Sequence, residues 1–494
     1  MENPVEQLPT GVAGLDCILG GGLPARHPYL VQGDHGSGKT TFGLQFCRAG
    51  VERGERVLFL STCESEGEIR EIAASHGWPL DGVTIHYHDA RDTLSEGPEQ
   101  SVFHPAEVEL PRTIEELLSV IDEVNPQRLV IDSLSEIKLL AADLRWFRRQ
   151  VLMLREELVG RRCTTLFCGG RETVDDPIES IVHGVIDLEQ VAPDYGPDRR
   201  RLRVRKMRGQ PFSSGYHDFR LRTGGLEVYP RLVAAEHRRQ CDAATLPSGV
   251  PKLDECFGGG VDRGATTLLL GPAGSGKSII ASQYVSAAAE RGERSAMYIF
   301  DEGVHTLLHR AESLGMDLSR HVDAGTVEVR PIDPAELSPG EFSHCVRHAV
   351  VDRGVRLVVI DSLAGYLHAM PSERALTLHL HELLTYLGQQ GVTVLMTMSQ
   401  HGLPGTPRNA PMDLSYIADS VLLLHMFEHA GELCGAMSVY KRRGGRHERT
   451  LRELQFGPEG IRIGEPLRQF QKILTGTPEF VGEKLPIVQD DEQS

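Results

Sequence analysis

Two stretches of the chain combine residue types and spacing that suit the handling of phosphate. Gly33-Asp34-His35-Gly36-Ser37-Gly38-Lys39-Thr40 and Gly271-Pro272-Ala273-Gly274-Ser275-Gly276-Lys277-Ser278 both fit the pattern G-x-x-x-x-G-K-[ST]. Glycines let consecutive backbone N–H groups wrap an anion, and the helix that follows presents its positive end to it. In such a loop Lys39 and Lys277 reach the β- and γ-phosphates of a nucleotide. The hydroxyls of Thr40 and Ser278 hold Mg²⁺, and Thr41 and Ile279 carry the cradle into the helix. One copy can arise by chance; two in register are a specific signal for ATP and Mg²⁺.

Asp132 and Asp361 each end an apolar run and precede Ser-Leu. With a P-loop upstream, this is the position of a carboxylate that orients magnesium-bound water (a Walker B acid). A water-polarising group is sought at a neighbouring strand end: Glu64, after Cys63, in the first half, and the pair Asp301-Glu302 in the second. The same acids would suit the first turn of a following helix, where the macrodipole favours negative charge. A third element is Lys206-Met-Arg208 and Lys441-Arg-Arg443. Alternate residues of a strand share a face, so each Lys and Arg project together. That suits cations offered to the γ-phosphate of a neighbouring subunit. A solvated edge strand or a nucleic-acid track would look similar.

The elements that position these residues recur. Residues 8–22, LPTGVAGLDCILGGG, return at 246–260 as LPSGVPKLDECFGGG, and the P-loops, I-D-S-L runs and K-x-R-G segments follow in the same order. This is duplication of a whole domain, expected over 1–235 and 245–485, with an acidic tail at 486–494. Short apolar runs (29–32, 57–61, 129–132, 164–168, then 266–271, 295–300, 356–361, 392–399) read as strands buried on both faces. Helical segments such as 40–53, 66–76, 112–124 and 142–160 lie between them. The expected class is α/β, each domain a mostly parallel sheet flanked by helices, with late antiparallel strands around 200–209 and 436–445.

Composition narrows the function classes. The 494 residues are 40% hydrophobic and 24% charged, as in an ordinary globular protein. A net charge of −17 argues against a broad basic surface for nucleic acid. Nine cysteines stand singly, without a C-x-x-C pair for zinc or redox exchange. No signal sequence or membrane span is read, so a cytoplasmic location is expected. The Arg145–Arg149 and His344–His348 clusters read as solvated helix faces.

Together these motifs resemble the KaiC family of double-domain, RecA-like ATPases, over nearly the whole chain. The resemblance implies two tandem RecA-like P-loop NTPase domains. It also implies a homohexameric double ring with ATP between protomers and hydrolysis in both rings. Lys206/Arg208 and Lys441/Arg443 match trans-acting fingers. The family's adjacent catalytic glutamates correspond to Asp301-Glu302, and to Cys63-Glu64 in the first domain, where one carboxylate is lost; hydrolysis there is weak if the first position is the base. The family's phosphoacceptor segment corresponds to 413–420: Ser415 stands at its serine, and Tyr416 replaces its threonine. A phenolic hydroxyl lies much further from its Cα than a threonine hydroxyl, so one γ-phosphate cannot serve both with unchanged geometry. The implied activity is an ATPase with a serine/threonine autokinase function on Ser415, Glu302 as base, in signalling with protein partners. Competing readings are a DNA-stimulated RecA/RadA-like motor and a scaffold that uses ATP only to assemble.

Overall fold

The computed structural model describes residues 6–88, 105–141, 143–171, 178–193, 196–234, 244–367, 373–399, 416–429, 431–473 and 479–481. Ser415, the tail at 486–494 and most of the expected junction between the two domains lie outside these residues. The chain divides into two compact units, Met1–Arg231 and Leu232–Ser494.

In the first unit the apolar runs become β1 (Pro28–Gly33), β2 (Val57–Ser61), β3 (Val83–Tyr87), β4 (Arg128–Asp132) and β5 (Thr164–Gly169). The later strands are β6 (Gly184–Val191), β7 (Arg199–Met207), β8 (His217–Arg222) and β9 (Gly225–Tyr229). Among the described residues they form one nine-stranded sheet in the order β9-β8-β7-β6-β1-β5-β4-β2-β3. The strands from β1 to β6 pair in parallel, and β7, β8 and β9 are added antiparallel. Every residue of β1, β2, β4 and β5 is buried, which is why these strands read as unbroken apolar runs. One apolar cluster, with Phe42, Phe46 and Ile69, covers one face of the sheet; another, with Leu117, Phe147 and Leu154, covers the other.

The second unit repeats this plan. Its strands are β10 (Thr266–Gly271), β11 (Ser295–Ile299), β12 (Val327–Pro331), β13 (Leu357–Asp361), β14 (Thr393–Ser399), β15 (Ser420–His429), β16 (Glu432–Arg442), β17 (Arg452–Gly457) and β18 (Gly460–Pro466). Their order is β12-β11-β13-β14-β10-β15-β16-β17-β18, the same series strand for strand. Both units are therefore α/β domains with a mostly parallel sheet between helical layers. Where a helix was expected from 112, the structure carries it back to Pro105 and on to Val124, with Pro111 inside. A proline removes one N–H and strains the turn before it. Packing of Leu110, Ile114, Leu117 and Ile121 against the sheet favours the helix over that break.

The duplicated LP-[TS]-G-x-x-x-L-D segment has a structural role. The Thr10 N–H and hydroxyl both donate to Asp16 Oδ1, at 2.8 and 2.7 Å, and the Ser248 N–H donates to Asp254 Oδ1 at 2.7 Å. Each aspartate closes a loop on its own short helix (Ala13–Ile18 or Pro251–Cys256), while Leu15 and Leu253 are fully buried beside it. Buried Arg128 then ties the first copy to the sheet, donating to Glu55 at 2.5 Å, to the Pro9 carbonyl at 2.7 Å and to the Phe46 carbonyl at 3.1 Å.

Candidate nucleotide sites

Both P-loops bridge the end of a central strand and the start of a helix. The first runs from Gly33, closing β1, to the helix Lys39–Glu52; the second runs from Gly271, closing β10, to the helix Lys277–Glu290. β1 lies between β5 and β6; the chain leaves β1 for β2 on the β5 side but leaves β5 for β6 on the other, so the loop opens at a switch point of the sheet. Gly38 and Gly276 cap the helices at φ 98° and 93°, a region that L side chains avoid. There is no room for one either. A Cβ on Gly38 would meet Leu221 methyls at 3.1 Å, and one on Gly276 would come within 2.0 Å of the Phe456 ring.

The lysines bend back over their loops. Lys39 Nζ donates to the carbonyls of Gly33 (2.8 Å) and Asp34 (2.9 Å), and Lys277 Nζ to those of Gly271 (3.0 Å) and Pro272 (2.7 Å). The Ser37 and Ser275 hydroxyls, both buried inside the loops, have no hydrogen-bond partner. A buried hydroxyl without a partner costs free energy, so a ligand that supplies one is favoured there.

Strand register brings the carboxylates beside these loops. Asp132 ends β4 opposite Ser61 of β2, and Asp361 ends β13 opposite Ile299 of β11. Thr40 Oγ1 donates to Asp132 Oδ2 at 2.6 Å, joining residues far apart in the chain. Asp132 is buried, which pushes its carboxyl above the usual range, while the Thr40 hydroxyl and the Lys39 ammonium act the other way. Asp361 is likewise pushed up by burial and held back by the Thr397 hydroxyl, which donates to Oδ1. Its Oδ2 is buried without a hydrogen-bond partner. Burial lowers the Lys277 ammonium, opposed by Asp361. A hydroxyl and a buried carboxylate beside each loop are the oxygen donors that suit Mg²⁺.

The next shell differs between the domains. Glu64 follows β2 and has Ser61 as its near partner, the hydroxyl 3.5 Å from Oε2. Burial raises its carboxyl, reinforced by the negative charge of Asp132. Cys63 Sγ lies 3.8 Å from Ser133 Oγ, and burial also pushes its thiol up. In the second domain Asp301 accepts from Ser362, the residue equivalent to Ser133, and Glu302 is gripped at both oxygens by Arg310. A cavity of about 940 Å³ opens at the first site, lined by Lys39, Thr40, Glu64, Asp132, Ile72 and Leu221 among others. That volume suits a nucleotide-sized ligand.

The K-x-R cations sit on matching carbonyls. Lys206 Nζ donates to Glu179 O and Val182 O (2.9 Å to the latter), and Arg208 to Ser180 O at 3.2 Å. In the second domain Lys441 Nζ donates to Ala418 O and Arg443 to Tyr416 O, both at 2.8 Å. Lys and Arg of each pair thus project to the same side of their strand. Arg443 also faces Asp419 at 3.5 Å, where the first domain has His183. Tyr416 is exposed.

Three of these contacts have no motif in the sequence: Thr397 on Asp361, Arg310 on Glu302, and Ser362 on Asp301. Only Arg310 left a trace, since aligning the repeats sets it against Ile72, an apolar-to-charged exchange. Among the described residues no helix is long and apolar enough to cross a membrane, and no group of three or more His, Cys, Asp or Glu could hold a metal ion.

Comparison with known proteins agrees with the duplicated architecture. The family described as "ATPase: KaiC" matches residues 8–233 and again 246–468. Relatives include the circadian clock oscillator protein KaiC of Prochlorococcus marinus, 27% identical over 482 residues, covering 96% of each chain. That of Synechococcus elongatus is 28% identical over 487 residues, covering 96% of this chain and 92% of the relative. The circadian clock protein KaiC3 of Synechocystis is 26% identical over 491 residues, covering 97% and 96%. With two family matches spanning most of its length and two nine-stranded α/β domains to carry them, the chain belongs to the KaiC family of ATPases.

Proposed function

We propose that this protein binds and hydrolyses Mg-ATP at both P-loops and assembles as a homohexameric double ring with nucleotide between protomers. We further propose that it transfers the γ-phosphoryl group to Ser415 in the second domain, signalling through ring state to protein partners. The observation that carries the reading is the 2.6 Å contact between Thr40 and Asp132 beside a loop whose buried Ser37 hydroxyl lacks a partner. In the second domain Ser278 acts on Asp361 in the same sense, and the buried Ser275 hydroxyl likewise lacks a partner.

In this mechanism the backbone of 33–41 and 271–279 wraps the phosphates while Lys39 and Lys277 exchange their carbonyl partners for phosphate oxygens. Mg²⁺ held by Thr40 and Asp132, or by Ser278 and Asp361, would neutralise charge on the β- and γ-oxygens. Water attacks the γ-phosphorus as the bond to the β–γ bridging oxygen breaks. The water proton passes to Glu64 in the first domain and to Glu302, with Asp301 beside it, in the second; the electron pair leaves with ADP. Lys206 and Arg208, or Lys441 and Arg443, approach the γ-phosphate from the adjacent protomer. Burial raises the Glu64 carboxyl and so favours its taking a proton, so the loss of a second carboxylate at Cys63 does not by itself silence the first site. Phosphotransfer to Ser415 would replace water by the serine hydroxyl, its proton going to Glu302.

The test is incubation with Mg-ATP, followed by intact mass, peptide mapping and phosphate release, with Lys277→Ala as control. One added phosphate at Ser415, absent from the control, is expected. Phosphate on Tyr416 would mean a rebuilt acceptor geometry. Phosphate release with unchanged mass would remove the kinase activity and leave an ATP-driven ring.

A further inference from the structure

The two domains prepare their water-polarising glutamates in opposite ways. Glu302 ends the loop after β11, and Arg310 lies two turns along the helix that follows, Val304–Ser313. The guanidinium donates through Nη1 to Oε2 at 2.8 Å and through Nη2 to Oε1 at 2.6 Å, so one planar fork takes both carboxylate oxygens. Bidentate, charge-assisted pairs of this kind are the strong class of hydrogen bond. The Glu302 side chain is only 19% exposed, so water competes poorly for it.

The neighbouring charged groups either repel Glu302 or are engaged elsewhere. Asp361, on β13, faces it as a like charge. Lys277 is engaged with the carbonyls of Gly271 and Pro272, and Asp301 is turned to Ser362. In the first domain Ile72 takes the place of Arg310 and lines the nucleotide cavity together with Glu64. The charges that act most on Glu64 are those of two acids, Asp132 and Glu68.

Building on the hydrolytic reading above, we propose that Arg310 is a positioning residue that latches Glu302 away from the attacking water. Turnover in the second domain is thereby restrained, while the first domain, with an isoleucine at that position, runs without the restraint. A carboxylate held by a guanidinium fork must break two charge-assisted bonds to turn toward water. The position of Ile72 on its cavity wall implies that Arg310 stands at the matching edge of the second site. There an incoming phosphate group could draw the fork off Glu302. The second domain would then hold ATP for longer, which suits a site that donates phosphate to a protein hydroxyl rather than to water.

The test uses the full chain with Lys39→Ala, so that second-domain turnover is read alone. Arg310→Ile, which copies the first domain, is expected to raise kcat for ATP about tenfold with KM changed less than about twofold. Arg310→Lys, a cation without the fork, should fall between the two and serves if the isoleucine variant folds poorly. Adding Glu302→Gln to Arg310→Ile should abolish the gain, a result that a purely structural arginine would not produce. Turnover in the parent that neither variant raises, or a rise in KM alone, overturns the latch and leaves the hydrolytic reading standing. No turnover in the parent or in either variant overturns both.

Discussion

Glu64 lacks the guanidinium fork that grips Glu302, its counterpart. Its nearest polar partner is a hydroxyl, and burial with Asp132 behind it keeps its proton affinity high. A positioned general base contributes roughly 10²–10⁴-fold to a rate. Glu64→Gln in a Lys277→Ala background should therefore lower first-domain kcat by about 10²-fold or more, with KM little changed, in a coupled phosphate-release assay. A decrease under about threefold would show that water there is oriented by other groups. At the same scale Cys63 and Asp301 occupy matching places against Ser133 and Ser362, yet a thiol pushed up by burial cannot share the acid's role at neutral pH.

Elements hold these residues through a few long-range ties. Arg128, fully buried, joins β4 to the first LPTG segment, to the Phe46 carbonyl and to Glu55. Arg128→Ala strands Glu55 and two carbonyls, a class of change that costs about 3–5 kcal/mol. Urea unfolding should show the first-domain transition moving down by about that amount while the second-domain transition stays in place. Ahead of β6, His183 stacks on His27 with ring centroids 3.9 Å apart. Burial first, and His27 second, lower His183 from 6.5 to about 4. The folded state thus holds a neutral imidazole that the unfolded chain protonates more readily. Its contribution is complete above pH 6.5 and is lost as pH falls from there through about 4. His183→Phe should flatten the dependence of the first-domain melting temperature on pH in that window; an unaltered slope would assign it to other groups. The second domain has Asp419 at this position, bonded to the Thr266 N–H at 3.0 Å, so the histidine effect belongs to the first domain alone.

For the whole molecule, the proposed division of each site between protomers predicts complementation. One variant loses both P-loop lysines (Lys39→Ala with Lys277→Ala), and another loses both finger arginines (Arg208→Ala with Arg443→Ala). Each alone should be nearly inactive. Reassembled in equal amounts, about a quarter of interfaces would join an intact P-loop to an intact arginine, and ATP turnover should recover toward that fraction. No recovery, with mixed assemblies verified by mass, would place the arginines in their own protomer's site. The carbonyls that now hold them, Ser180 O and Tyr416 O, occupy equivalent positions in the two domains. The arginines of both domains would therefore leave the same kind of dock.

The duplication, the two P-loops, the aspartates ending β4 and β13 and the alternation of strands with helices were legible in the residues themselves. Each depends on short-range spacing, on burial of a strand on both faces, or on the chain repeating itself. Edge strands were harder: β3, with a half-exposed VTIHY, and the antiparallel β8, β9, β17 and β18 lack the unbroken apolar run that marks the centre of a sheet. Tertiary structure alone decided which side chains meet. Strand order sets Asp132 against Thr40, places Thr397 on Asp361, and turns the K-x-R cations onto carbonyls more than twenty residues away. Arg310 could have faced solvent, as helix arginines usually do. Only the fold of the loop after β11 shows that it closes on Glu302, because an ion pair is chosen by distance in space and not by spacing along the chain.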